Sequence, residues 1–461
     1  MRRAKLLQGE VLERVERSGS TKVEVAVTDI DGILRGKYLH KDKFLSAVHG
    51  GFGFCNVVLG WDAGDVCYDN THYTGWHSGY PDAAVKLDLG TYRQVPWDGN
   101  VPFLLGDFWQ DDKTPLSICP RQLLKRVVQR CSDAGFVPAT SLEYEWFNFR
   151  ETPQSMADKG HTSPAPLTPG MFGYSIIRMN QNRPFLNALF DEMAAFDVPI
   201  EGLHTETGPG VFEAAILYSD PVEAADRAVL FKTGAKEIGH RFGIMPTFMA
   251  KWNADLPGCS GHIHQSLWEK KPGMEESKNL FSDDRDAHGM SDLFRSYLAG
   301  QMALLPELLP LYAPTINSYK RLVEGAWAPT RINWGIDNRT TALRVITGSA
   351  KSTRVETRVN GSDSNPYLAL AAALASGLYG VEKKLELPMG PVTGSGYDDK
   401  KADVLPRNLE EATLRLERSE RARALLGDEF VDHFVATRKW EWRQFNKAVT
   451  NWEMARYFEI I

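Results

Sequence analysis

The stretch 142-LEYEWFNF-149 alternates acidic and aromatic residues with a period of two. Read as a β-strand, it sends Glu143 and Glu145 to one face and Tyr144 and Trp146 to the other. Two carboxylates side by side on a largely buried sheet would cost on the order of several kcal/mol unless a cation meets them. An ordinary half-exposed strand is the alternative for this pair alone, but the pattern recurs. In 201-EGLHTETGPGVFEAAIL-217, Glu206 and Glu213 flank a Gly-Pro-Gly turn that folds both onto one locality. In 258-GCSGHIHQSL-267, His262 and His264 stand two apart behind a glycine-rich bend, and in 353-TRVETRV-359, Arg354, Glu356 and Arg358 share a face. Strand after strand presents charge or imidazole where a core strand would present apolar side chains. Five carboxylates and a histidine suffice for two hard divalent cations, since Mg²⁺ and Mn²⁺ prefer oxygen ligands and accept an imidazole.

Arginines supply the second half of the constellation. Arg321 lies in 317-NSYKRLVEGAWAPTRINW-334, Arg339 and Arg344 bracket a segment of 338-NRTTALRVI-346, and Arg354 and Arg358 follow. Any one of them could be a solvated surface residue. As a set beside the Glu and His faces they predict a site for a triphosphate and a carboxylate, because a guanidinium pairs with either group in bidentate fashion. The chemistry implied is phosphoryl transfer or ATP-driven ligation. No Walker-type phosphate loop is present, as 32-GILRGKY-38 lacks both its spacing and the hydroxyl residue after lysine. Metals and arginines must therefore hold any nucleotide phosphates.

Composition bounds the remainder. A chain of 461 residues exceeds what one core usually organises, so two domains are expected. A net charge of −6 gives no electrostatic footprint for nucleic acid or a membrane surface. Five cysteines without a CxxC pair argue against a disulfide framework and a thiolate zinc site, and predict a cytoplasmic setting. The first twenty residues read as an amphipathic helix, and no stretch approaches a membrane span. Short β-rich runs over 22–105 predict a small mixed sheet, while longer helices begin at 120-PRQLLKRVVQRCSDAGF-136 and at Asp220–Pro221, with several packed helices beyond Asn408. The fold class is α+β. Residues 151–171, 269–289 and 388–406 read as loops.

Taken in order and spacing, these elements resemble the glutamine synthetase family over roughly residues 20–461. They are Glu143 with Glu145, Glu206 with Glu213, the glycine-rich HxH segment, NSYKRL at 317–322, Asn-Arg at 338, and 354-RVETR-358 followed by 365-NPYLALAAAL-374. The resemblance implies an N-terminal β-grasp domain (20–108) and a catalytic α/β domain (116–461). It also implies a double-ring homo-oligomer, a dodecamer of two hexamers, with sites formed between neighbouring subunits. Glu145, Glu206 and Glu213 then resemble ligands of a first Mg²⁺ or Mn²⁺, and Glu143, His262 and Glu356 those of a second, with two to three ions per site. Glu201, His264, Ser266, Arg339, Arg344 and Lys351 match ATP contacts; Gly258, Arg321 and Arg358 match contacts to L-glutamate. By resemblance, the γ-carboxylate attacks ATP to give γ-glutamyl phosphate, Arg339 neutralises developing charge, and an amine displaces phosphate.

The departures concern the amine. Trp327 stands in 323-VEGAWAP-329 where true glutamine synthetases carry a flap glutamate that binds and deprotonates ammonium. An indole cannot take that proton, but it offers an apolar wall or a cation–π face to an organic amine; a packing role is the plain alternative. Pro257 replaces a common Asn and Val211 a common Gln. Asp62 in 60-GWDAGD-65 is the candidate carboxylate lent by a neighbouring subunit, with Asp65 close behind and a solvated loop residue as the alternative. The reading is a glutamate–amine ligase acting on a mono- or polyamine. An ammonia-using glutamine synthetase, with Glu324 standing in for the flap residue, and a non-catalytic relative are the competing readings.

Overall fold

The computed structural model describes residues 8–270 and 278–461. Six strands build the first sheet: β1 (Lys22–Thr28), β2 (Leu34–His40), β3 (Phe52–Cys55), β4 (Asp82–Leu87), β5 (Arg93–Val95) and β6 (Val101–Trp109). Their order is β2-β1-β6-β4-β3, with β5 also on β6; β1 and β6 run parallel and the other pairs antiparallel, giving the mixed sheet expected. Val23 and Val25 face a small core shared with Val11 and Val15 of the helix Gln8–Arg17, while residues 1–7 of the expected N-terminal helix lie outside the described residues.

The second sheet comprises β7 (Phe136–Phe149), β8 (Ile200–Thr205), β9 (Val211–Ile216), β10 (Met245–Thr247), β11 (Gly261–Glu269), β12 (Trp334–Ile336), β13 (Leu343–Ile346) and β14 (Arg354–Thr357). It is ordered β12-β13-β14-β11-β7-β9-β8, with β10 on β7. The long β7 lies inside this sheet, and its alternation does what the sequence predicts. Tyr144 and Trp146 are fully buried against Phe231 of the helix Pro221–Arg241, Tyr144 stacked parallel to it at 6.3 Å and Trp146 edge-on at 5.4 Å, while Glu143 and Glu145 face away. That helix begins where the sequence places it, with Asp220 accepting from the Glu223 N–H and Pro221 in the first turn. The helix Pro120–Asp133 likewise opens on proline, and Gly135 beyond its end adopts a left-handed φ of 86°.

Two interfaces fix the first sheet against the second. Buried Arg121 donates to Asp107 of β6 at 3.0 Å and to Asp226 of the Pro221–Arg241 helix at 2.8 Å. The helix Asp428–Lys447 then straps both the β1–β2 turn, where Arg438 donates to Asp31 at 2.6 Å, and the loop after β3, where Asn70 donates to the Ala436 carbonyl at 2.8 Å and the Trp440 indole to Asp62 at 2.9 Å. One expectation needs correction. Residues 151–171 are not wholly loop, because Thr152 and Ser155 form a capping box that starts a helix at Pro153–Asp158. The stretch 388–406 is irregular apart from one short turn of 3₁₀ helix at Gly396–Asp398, and 271–277 lies outside the described residues. No described helix is long and apolar enough to cross a membrane.

Lys232, midway along the Pro221–Arg241 helix, is partly buried and donates to the Ser362 and Ser364 carbonyls at 2.7 and 3.2 Å. Burial pushes its pKa down to about 7, and Lys236 shifts in the same direction. Between that value and the ordinary lysine range the unfolded chain holds a proton that the folded chain has released, so stability rises with pH across this window. Denaturant titrations should show wild type gaining on the order of 1–2 kcal/mol from pH 7 to pH 9 relative to Lys232→Met. Parallel pH profiles for the two proteins would refute this account.

Candidate active site

Strand register assembles the charged residues. His262 of β11 pairs with Glu143 of β7, Glu145 pairs with Glu213 of β9, and Glu213 pairs with His204 of β8. On the other side His264 pairs with Glu356 of β14, which pairs with Arg344 of β13. Glu206 stands one residue past β8, at the Gly-Pro-Gly turn. The outcome is a cavity of about 430 Å³ into which Glu143, Glu145, Glu206, Glu213 and His262 all project. Gly258, Arg321, Arg339, Arg344, Arg358 and Trp327 complete its wall.

A second cavity of about 370 Å³ opens beside it, and Glu143 lines both. Glu201, His264, Ser266 and Lys351 line this one, so the six residues matched to ATP divide between two chambers, with Arg339 and Arg344 in the first. Asp62 lies in neither. Its carboxylate accepts from the Gly64 and Val66 N–H groups and from the Trp440 indole, bracing its own loop. Asp65 is paired with Arg35 at 2.8 Å.

The electrostatics are those of a site built to hold cations. Glu356 is fully buried; burial opposes its charge, but His262 and Arg358 overcome this and bring its pKa down to about 2. Arg344 reaches it at 2.8 Å, Arg358 is in contact with it, and the His262 Nδ1 lies 3.3 Å away. Glu143 is likewise held well below the usual carboxylate range, against the effect of burial, by its hydrogen bonds with His262 and His264. Glu213 behaves oppositely: burial and the neighbouring Glu143 and Glu145 push it up to about 8, although His204 lies 3.1 Å away. Desolvation disfavours charge on His204 too, yet the Glu213 contact raises its pKa above the ordinary imidazole range, and a cation placed between the two would displace their shared proton.

The donor set fits hard cations. Glu143, His264 and Glu356 each offer a ligand atom within 4.8 Å of the others, as do His204, Glu206 and Glu213. His262 Nε2 is buried without a hydrogen-bond partner. Glu145 accepts the Ser260 N–H at 2.6 Å. Gly258 is required by close approach, because a Cβ there would meet the Ala250 carbonyl at 2.4 Å and the Arg321 side chain at 2.6 Å.

Sequence reasoning missed two residues here. His204 stands two before Glu206, an alternation visible in 201-EGLHTET-207, but a bulge between Ile200 and Gly202 obscures its phase. Tyr174 lies in an irregular segment with φ of 53° and stacks on His204 at 4.3 Å; nothing in the local sequence signals it. Trp327, for which packing is the plain alternative, is 61% exposed in the single chain, on a backbone with φ of 60°. Val211, Pro257 and Ala326 line the same cavity.

Carboxylates thus face guanidinium groups across one cavity, a donor set that suits metal ions and phosphate. The family model described as "Glutamine synthetase, catalytic domain" matches residues 117–457. "Type-1 glutamine synthetase 2" of Dictyostelium discoideum is 53% identical, covering 99% of this chain and 88% of the relative. "Glutamate--isopropylamine ligase" of a Pseudomonas species is 36% identical, covering 98% of each. A solved structure described as a GmaS/ADP complex superposes with a TM-score of 0.84 at 26% identity, covering 97% of this chain and 99% of that one. The chain belongs to the glutamine synthetase family, ATP-dependent carbon–nitrogen ligases that use divalent metals.

Proposed function

We propose that the protein joins the γ-carboxylate of L-glutamate to an organic amine at the expense of ATP, through γ-glutamyl phosphate. The observation that carries this reading is Trp327, an exposed indole on the wall of the cavity that holds the carboxylates. Tyr174, Val211, Pro257 and Ala326 extend that wall, so an amine with carbon attached meets apolar surface. The 36% identity to a protein named for isopropylamine supports the reading, whereas the 53% identity to one named glutamine synthetase favours ammonia as the second possibility.

In this reading Glu145, Glu206 and Glu213, with His204, hold one Mg²⁺ or Mn²⁺. Glu143, His262 and Glu356, with His264, hold another. Bound ions supply positive charge against the phosphate and acyl oxygens. Gly258, Arg321 and Arg358 receive glutamate, and Glu201, His264, Ser266, Arg344 and Lys351 the nucleotide. Arg339 forms no hydrogen bond or ion pair among the described residues, which leaves its guanidinium for the transferring phosphoryl group. The amine nitrogen then attacks the acyl carbon, phosphate departs, and the nitrogen gives up a proton. Asp62 is assigned to a neighbouring subunit's amine site in a double ring of twelve copies.

Phosphate release from Mg²⁺-ATP and glutamate across ammonia, alkylamines, aromatic amines, ethanolamine and polyamines tests the proposal. Selective turnover with an organic amine is expected. Turnover with ammonia alone would establish an ordinary glutamine synthetase, and silence throughout would favour a non-catalytic relative.

A further inference from the structure

Beside the metal-facing cavity lies an open cleft of about 540 Å³, and Trp327 and Arg339 line both. The indole is thus a partition, with the carboxylates on one side and the cleft on the other. The far wall of the cleft is the segment 391–394, and it is pinned. Asn338 donates its side-chain amide to the Val392 and Gly394 carbonyls at 3.1 and 2.8 Å, and the Val392 N–H donates to the Trp334 carbonyl at 2.8 Å. Such a wall can select shape, because it need not be ordered on binding.

We propose that this cleft receives the substituent of the amine, and that the substituent is extended and uncharged. The inference rests on the amine-ligase reading and deepens it. An amine approaching the acyl carbon from the Trp327 side has its nitrogen towards the metals, so its carbon chain continues past the indole into the cleft. The surfaces it meets there include Ile336, Pro391 and Val392, the neutral hydroxyls of Thr340 and Thr393, and the His288 ring, which can carry positive charge but is not an acid. Asp337, the carboxylate at this cleft, is already matched by the Arg344 guanidinium, whose Nε donates to it at 3.0 Å. Arg339 is the cation at the passage, without an ion-pair partner among the described residues. A second ammonium on the tail would therefore find no unmatched carboxylate among the residues lining the cleft.

The test compares methylamine, hexylamine and hexane-1,6-diamine as substrates of the full-length wild type, Thr393→Trp and Thr393→Ala, with folding checked by circular dichroism. Thr393 is exposed, so an indole there fills the cleft without entering a core. Wild type should favour hexylamine over the diamine by about tenfold in kcat/KM. Thr393→Trp should raise the hexylamine KM by about tenfold while the values for methylamine, glutamate and ATP hold, and Thr393→Ala should behave as wild type. Equal effects of Thr393→Trp on both monoamines, no effect on either, or a wild-type preference for the diamine would overturn the inference and leave the ligase reading standing. A wild type that uses ammonia and none of these amines would remove both.

Discussion

Glu356→Gln is expected to lose at least about a thousandfold in glutamate-dependent phosphate release, the scale on which positioned charge acts in phosphoryl transfer. The substitution is nearly isosteric, so the effect is electrostatic. Glu356 is fully buried, receives Arg344 and Arg358, and lies beside the His262 ring. Removing its charge weakens the cation site and leaves the Arg358 guanidinium in a dry place without its counter-ion, while Arg344 keeps Asp337; stranding a buried charge in this way typically costs about 3–5 kcal/mol. Mn²⁺ binding followed by paramagnetic resonance should fall in step with turnover, and circular dichroism separates this from unfolding. A folded variant retaining activity within about tenfold of wild type would show that Glu356 is structural.

Trp327→Glu should invert amine preference, lowering kcat/KM for an organic amine relative to ammonia by about a hundredfold. Two effects add. Loss of the indole removes an apolar face or cation–π partner worth about 1–2 kcal/mol, and the new carboxylate offers ammonium a charge-assisted hydrogen bond. Both residues must adopt the same left-handed backbone, φ of 60°, so the exchange leaves the local strain in place and isolates the side chain. Equal loss for every amine would mean that Trp327 only shapes the loop.

Much of this site is legible in the sequence because strands have an exact side-chain period. Once 142-LEYEWFNF-149 is read as a strand, the pairing of Glu143 and Glu145 on one face follows, and the structure places Tyr144 and Trp146 in the core behind them. Short-range signals also carry the helix starts at Pro120 and Pro221. What the sequence hides is whatever depends on register between distant strands or on irregular backbone. The division of the six ATP-matched residues between two cavities is set by how β11, β14 and β13 pair. Tyr174 reaches the site from a loop, His204 past a bulge, and the tie from Asp62 to Trp440 spans 378 residues.

The strap formed by the helix Asp428–Lys447 also sets the order of events during synthesis. The first sheet leaves the ribosome before the second, yet Asp31 waits 407 residues for Arg438, and Asn70 waits 366 for the Ala436 carbonyl. At about 5–20 residues per second that delay lasts tens of seconds, during which the first sheet must hold together without the strap. Closing such distant contacts is entropically slow, so the loop bearing Asp62 acquires its final shape only after Trp440 has emerged.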